Sequence, residues 1–184
     1  MVAQWYALRV RPRHEKVVDA ILGNKGYERF LPLYKCLRRR SDRYKEIEFP
    51  LFSGYIFCQF DVIGRMPILT TPGVIGIVGV GRVPAPIATR ELDAIGRMIA
   101  AQAAVEPWPY LQCGQSVAIT SGPLRGIAGI LLRTGSRSRL VVSVTLLQRS
   151  VAVEVDRSWV TRAGCRDIGS GVEPRCLSYL PPAG

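Results

Sequence analysis

The chain has 184 residues, and 48% of them are hydrophobic, which is enough for packed cores and excludes wholesale disorder. Its 25 Lys and Arg residues against 14 Asp and Glu give a net charge of +11, which favours a polyanionic partner such as nucleic acid and would also suit an anionic membrane surface. No apolar run approaches the roughly 18 residues that span a bilayer, and no signal-peptide core follows Met1, so we expect a cytoplasmic protein without a membrane partner.

The first hundred residues combine strand and helix patterns. Between 17 and 22 the apolar residues recur at helical spacing, and Leu92, Ile95 and Ile99 do the same after Thr89, a candidate N-cap. Aromatic and β-branched runs indicate the strands. The predicted helices cover about 12–23, 65–69 and 89–99, and the predicted strands cover 5–10, 27–37, 47–49, 55–60 and 74–78. We therefore predict an α+β domain over 1–104, with helices packed on a mostly antiparallel sheet.

The chain changes character after this domain. Pro107 and Pro109 interrupt any periodicity, so 105–112 is predicted to be a linker. Short strands separated by tight turns are typical of a small barrel, and here they are predicted over 116–120, 128–133, 140–146 and 150–155. We predict an all-β domain over 113–162, followed by a mobile tail, rich in Gly and Pro, over 163–184.

Residues for catalysis or metal binding are scarce. The five cysteines are too scattered for a Cys-x-x-Cys pair and His14 is the only histidine, so we expect reduced thiols, no metal site and no cofactor. In a predicted strand, the side chain of Cys58 points to the face opposite those of its two neighbours, and we expect it to pack in a core. Motifs for a catalytic nucleophile or a nucleotide phosphate are missing, so we expect a protein that is not an enzyme.

A dense basic segment lies at 38–45, in what the pattern predicts to be a hairpin loop. Further basic residues lie just before the first predicted helix and in its first turn. Clustered cations in one domain are typical of phosphate contacts, and the alternative is a solvated hairpin tip. The predicted nucleic-acid-binding residues are Arg11, Arg13, Lys16, Arg38, Arg39 and Arg40.

Two stretches resemble the NusG family of transcription factors, in the order in which that family carries them. Residues 52–57, Phe-Ser-Gly-Tyr-Ile-Phe, resemble the strand entrance of the family's amino-terminal (NGN) domain. Residues 117–130, Val-Ala-Ile-Thr-Ser-Gly-Pro-Leu-Arg-Gly-Ile-Ala-Gly-Ile, resemble the KOW motif that follows it. The resemblance extends over residues 3 to about 161. It implies an antiparallel-sheet NGN domain with packed helices, followed by a small SH3-like KOW barrel.

The resemblance also gives the aromatic residues a role. Taken alone, aromatic side chains in strands are most often core. In NusG-like proteins the matching residues line an apolar patch that grips the clamp helices of RNA polymerase. This implies that the chain suppresses pausing or termination, with non-template DNA or nascent RNA as further partners. Ser53 stands where the family usually has proline. The implied polymerase-binding residues are Trp5, Tyr6, Phe52, Gly54 and Tyr55.

The KOW stretch departs from the family at its partner-binding turn. Housekeeping members typically carry Ile-Phe-Gly-Arg there, and this chain has Leu-Leu-Gln-Arg at 146–149. The departure is similar to specialised RfaH- and UpxY-type antiterminators. It implies weak or no binding to the termination factor Rho, because the large ring that would anchor a partner is missing. A small-subunit ribosomal protein is the other implied partner, and the implied partner-binding residues are Leu146, Leu147 and Arg149.

A second class of function stays open at this point. KOW domains also occur in ribosomal proteins, so a ribosome- or RNA-binding structural protein is the alternative to an elongation and antitermination factor. We expect a monomer in either case. Co-purification discriminates between the two classes, since polymerase subunits would indicate the first and intact ribosomal subunits the second.

Overall fold

The computed structural model describes residues 3–40, 43–101, 104–108, 110, 114–134 and 137–162. The predicted tail, 163–184, lies outside the described residues. The first domain has three helices within these ranges, α1 (Glu15–Asn24), α2 (Met66–Leu69) and α3 (Thr89–Ala100). Its strands are β1 (Gln4–Val10), β2 (Glu28–Phe30), β3 (Leu33–Arg40), β4 (Arg43–Pro50), β5 (Tyr55–Phe60), β6 (Val74–Ile77), β7 (Gly79–Val80) and β8 (Val83–Pro84). The second domain contains β9 (Val105–Trp108), β10 (Gln115–Ile119), β11 (Ala128–Thr134), β12 (Arg137–Val144), β13 (Arg149–Glu154) and β14 (Val160–Arg162).

The first domain is a sheet between two helices. Its strands lie in the order β2-β5-β1-β6, and every pairing is antiparallel. Because successive strand residues point to opposite faces, Leu8 and Ile56 pack towards α1, whereas Ala7 and Phe57 belong to the cluster that includes α3. The α+β prediction is therefore confirmed.

The two longer helices differ in detail from their predictions. In α1, Val18 and Leu22 are buried at a spacing of four residues, but Val17 is 53% exposed because one helical step turns it away from the sheet. In α3 the N-cap is Ala88, which makes no side-chain capping bond, so the prediction that Thr89 caps this helix is wrong. Thr89 is the first helical residue instead.

A long two-stranded hairpin projects from the first domain. Strands β3 and β4 pair in register from Leu33 opposite Pro50 to Arg40 opposite Arg43. The loop predicted over 38–45 is therefore mostly strand. The sequence did not reveal these strands because, among the described residues, β3 and β4 pair only with each other, so neither larger sheet imposes an alternating pattern on the outer part of the hairpin.

The second domain is all-β, as predicted. Its strands form an antiparallel sheet in the order β14-β10-β11-β12-β13-β9. Residues 105–108, which were predicted to belong to a linker, instead form β9 and pair with β13. Pro107 is tolerated because β9 lies at the edge of this sheet, where a missing amide donor breaks no ladder.

Cys58 lies in the middle of β5 with its side chain fully buried, which confirms its predicted packing role. Burial raises the pKa of its thiol to about 12, and the positive charge of Arg29 offsets part of that effect. Of the helices that the structure describes, none has the length and apolar character needed to cross a membrane.

Candidate functional site

The turn between β4 and β5 has a defined geometry. The amide of Tyr55 donates to the carbonyl of Phe52 at 3.0 Å, and Gly54 has a φ of +81°. A positive φ at the third position is the signature of a type II turn, in which glycine is favoured there and proline is common at the second position. The second position is Ser53, whose φ is not positive. The glycine is required for its backbone angle, because an added Cβ would meet only the carbonyl of Val10 at 3.8 Å.

Two neighbours hold this turn against the domain. The carbonyl of Gly54 accepts a hydrogen bond from the amide of Val10 at 2.9 Å, at the end of β1. The amide of Gly54 donates to Oε1 of Glu15 at 2.8 Å, and Glu15 is only 4% exposed. Glu15 carries no distinguishing signal in the sequence. A carboxylate in the first turn of a helix is common for electrostatic reasons, so its position gave no sign of this contact.

The five implied polymerase-binding residues do not all share one surface. Phe52 is 1% exposed and packs edge-on against Phe57, with ring centroids 5.5 Å apart. Tyr55 is half-buried beside it in the same cluster. Tyr6 is buried on the opposite face of the sheet, where its ring centroid lies 4.7 Å from that of Phe60. The structure therefore brings Phe52, Gly54 and Tyr55 together and separates Tyr6 from them.

Trp5 lies on the same sheet face as Tyr55 but near the other end of β1. Tyr55 pairs with Arg9, and Trp5 precedes Arg9 by four residues on the same strand. At about 3.3 Å per residue, the two positions are about 13 Å apart along the strand. The backbone carbonyl of Trp5 accepts the amide of Ile87 at 2.8 Å, and its half-buried side chain packs against the cluster that includes α3.

The second domain contacts the turn at Tyr55. The guanidinium carbon of Arg149 lies 5.5 Å from the centroid of the Tyr55 ring, within range of a cation–π contact. Leu146 and Leu147 pack against the hydrophobic cluster that contains Phe52. We call the surface of Phe52, Gly54 and Tyr55 the aromatic turn, and residues 146–149 the KOW turn. Arg149 thus brings the two implied binding elements, which lie far apart in sequence, into contact.

Other contacts join the domains beside this one. Oγ1 of Thr145 donates to Oε1 of Glu91 at 3.1 Å, and the guanidinium of Arg97 donates to the carbonyl of Arg125. Helix α3 contacts β12, and one hydrophobic cluster continues from Ile95 in α3 into the second domain. The contact between the domains therefore combines apolar packing with polar bonds.

The predicted nucleic-acid-binding residues lie in two places. Arg11, Arg13 and Lys16 are exposed around the start of α1, and the Lys16 ammonium is 3.4 Å from the Glu48 carboxylate. The backbone register places Arg38 opposite Lys45 and Arg40 opposite Arg43, at the far end of the hairpin. The side chains of 37–40 and 43–45 are not among those that the structure describes.

The charge pattern of the hairpin changes along its length. At its base, Lys35 is opposite Glu48 and its ammonium lies 3.4 Å from the Glu46 carboxylate. At its tip, positively charged residues are opposite one another. Like charges in directly paired positions destabilise a hairpin, so the tip is a place where a polyanion would relieve repulsion.

Within the described ranges, no group of three or more His, Cys, Asp and Glu side chains could hold a metal ion.

Comparisons with known proteins agree with this architecture. Residues 3–96 match the model of a family described as "Transcription termination factor nusG". The chain is 26% identical to the transcription termination/antitermination protein NusG of Thermus thermophilus, with 89% of this chain and 100% of the relative covered. It is 28% identical to the protein of that name from Pseudomonas aeruginosa, with 88% and 99% covered.

A third relative and a solved structure extend the comparison. The NusG protein of Deinococcus radiodurans is 32% identical over 61% of this chain and 68% of its own. The fold is similar to that in a solved structure described as "Domain interaction in Thermotoga maritima NusG", with a TM-score of 0.50, 24% identity, and 88% of this chain and 98% of that chain covered. The chain therefore belongs to the NusG family of transcription factors.

Proposed function

We propose that this protein is a bacterial elongation and antitermination factor that binds the clamp helices of RNA polymerase through its aromatic turn. The observation that carries the proposal is the placement of Tyr55. Its ring lies on a turn held by hydrogen bonds on both sides, and the protein's own second domain packs on it. A half-buried aromatic side chain on a turn that is held in place is suited to serve as an interface anchor.

The proposed action requires no chemistry on a substrate. A polymerase clamp has open and closed states, and a ligand that prefers the closed state raises its occupancy by the ratio of the two affinities. Binding of the first domain to the clamp would therefore suppress pausing or termination by shifting that equilibrium. Tyr55 supplies the apolar contact, Phe52 supports it from the core, and Gly54 adopts the positive φ that the turn between them needs.

Arg149 lies over the ring of Tyr55, so the KOW turn and polymerase would compete for that ring. If binding requires the domains to separate, the apparent dissociation constant equals the intrinsic one divided by the fraction of open molecules. The same separation would expose the KOW turn. Access of the two domains to their partners is thus linked through one equilibrium.

The second domain, once released, would bind a further partner through its KOW turn. We propose a small-subunit ribosomal protein, bound through Leu146, Leu147 and Arg149. Leu147 offers less apolar area than an aromatic side chain would, so binding to Rho should be weak or absent, and the net effect should be antitermination.

Nucleic acid close to the polymerase is the proposed second contact of the first domain. The hairpin tip at 38–45 and the exposed cations Arg11, Arg13 and Lys16 supply positive charge for the backbone of non-template DNA or nascent RNA. Lys16 is partly neutralised by Glu48, so the hairpin tip should contribute more to the salt dependence of binding.

Affinity purification from the native host tests the proposal. Full-length protein should retain RNA polymerase subunits, and Tyr55→Ala should retain much less of them at equal expression. Retention of intact ribosomal subunits without polymerase would instead support a KOW-containing ribosome- or RNA-binding structural protein. Equal recovery of polymerase by both chains would remove Tyr55 from the proposed interface.

A further inference from the structure

We infer that Glu15 is a positioning residue for the aromatic turn, and that it supplies the restraint which a proline at position 53 would otherwise give. The inference rests on the proposed function, because it concerns how that turn is prepared for polymerase. Glu15 is a buried carboxylate whose contact is with a backbone amide of the turn rather than with a basic side chain.

The bond from Gly54 to Glu15 acts on the part of the turn that is least restrained. Type I and type II turns differ mainly by a flip of their central peptide, here the one that joins Ser53 to Gly54. The amide of that peptide is the donor to Glu15 Oε1 at 2.8 Å. A flip would point the amide away and leave a buried carboxylate oxygen without this donor, which is costly. Glu15 therefore selects the type II conformation.

Neither central residue of the turn can enforce this conformation alone. Proline at the second position would fix φ near −65°, but Ser53 has no such restraint. Gly54 accepts many backbone angles, including the observed +81°. The carbonyl of Gly54 is held by Val10, so the Glu15 bond completes the attachment of this residue on both sides. The two aromatic residues, Phe52 and Tyr55, flank the restrained peptide.

Glu15 could instead matter only as the first residue of α1. A carboxylate there interacts favourably with the helix dipole and would stabilise the domain without acting on the turn. Two substitutions distinguish the role in the turn from the role in the helix. Glu15→Gln keeps an oxygen acceptor for the Gly54 amide but removes the charge. Glu15→Met fills similar space and favours helix, but offers no acceptor.

The test uses full-length chains and measures their dissociation rates from immobilised RNA polymerase. A dissociation rate reports on the bound state, so it does not depend on how often the domains open beforehand. Glu15→Met should dissociate about tenfold faster, since it loses a charge-assisted hydrogen bond that prepares the turn. Glu15→Gln should stay close to the original rate. Adding Ser53→Pro to Glu15→Met should restore slow dissociation, because proline suits this turn position.

Controls distinguish positioning from stability. Glu28→Met removes an exposed carboxylate of the same domain and should leave the dissociation rate unchanged. Thermal unfolding of each chain reports any loss of fold. Unchanged dissociation of Glu15→Met, equally fast dissociation of Glu15→Gln, or no rescue by Ser53→Pro would each overturn the inference. Absence of any polymerase binding by the unmutated chain would instead overturn the proposed function on which it rests.

Discussion

Arg149 lies over the ring of Tyr55, with 5.5 Å between the guanidinium carbon and the ring centroid. This contact joins the KOW turn of the second domain to the aromatic turn of the first. Each is the element that the family resemblance implies for binding a separate partner. In this arrangement, a residue of the second domain contacts the ring that we propose binds polymerase.

Arg149→Ala should favour the open arrangement and raise the affinity for polymerase. A partly exposed cation–π contact contributes about 0.5–1 kcal/mol, so we expect an increase of about two- to fivefold. Equilibrium binding to purified polymerase measures it. Arg139→Ala is a matched control, because Arg139 lies 5.0 Å from the Trp108 ring within the second domain and pairs with Glu106 at 2.7 Å. A gain for Arg139→Ala of equal size would argue against the role of the Tyr55 contact.

Tyr55→Ala should weaken polymerase binding strongly and leave the fold intact. A buried aromatic anchor commonly contributes about 2 kcal/mol or more at an interface, which corresponds to a roughly thirtyfold loss of affinity. Tyr55→Phe keeps the ring and should bind nearly as well as the original chain. Circular dichroism checks the fold of both. An unfolded Tyr55→Ala chain would mean that this ring serves the core rather than the interface.

The hairpin tip should account for part of the salt dependence of the affinity for duplex DNA. Replacing Arg38, Arg39 and Arg40 with Ala removes up to three phosphate contacts, so the slope of log affinity against log salt should flatten by up to about three units. Lys35→Ala is the control, because Lys35 lies at the base of the hairpin and already pairs with Glu46. An unchanged slope for the triple variant would leave these arginines as solubilising surface.

Cys58 should make the fold sensitive to alkaline pH. The thiol of the folded chain keeps its proton until its pKa of about 12, whereas an unfolded thiol loses it near 9.0. This contribution is therefore fully present below pH 9 and declines by up to about 1.4 kcal/mol per pH unit above it. Denaturant unfolding of the original chain and Cys58→Ala at pH 8 and 10.5 checks this. A stability difference between them that does not shrink at the higher pH would contradict the prediction.

Much of the fold was predictable where a buried face imposes a period on the sequence. β5 was predicted over 55–60 and is Tyr55–Phe60, because its aromatic and apolar run is bounded by Gly54 and Asp61. β9 was missed because Pro107 resembles a strand breaker, and only the finished sheet shows that this strand lies at an edge.

The site was predictable only in part. The glycine of the aromatic turn was recognisable from the sequence. Tyr6 and Trp5 lie on opposite faces of the sheet because successive side chains of a strand point in opposite directions. The contacts of Glu15 with Gly54 and of Arg149 with Tyr55 join residues distant in sequence. Periodicity and turn chemistry describe local structure, so they carry no information about which distant elements meet.

The central claim is that the aromatic turn acts on transcribing polymerase. The most direct test is the pause lifetime of purified polymerase on a template with a defined pause site, at protein concentrations near the dissociation constant of the original chain. We predict that the original chain shortens the pause, that Arg149→Ala shortens it at least as much, and that Tyr55→Ala has little effect. Equal shortening by Tyr55→Ala and the original chain would contradict the account.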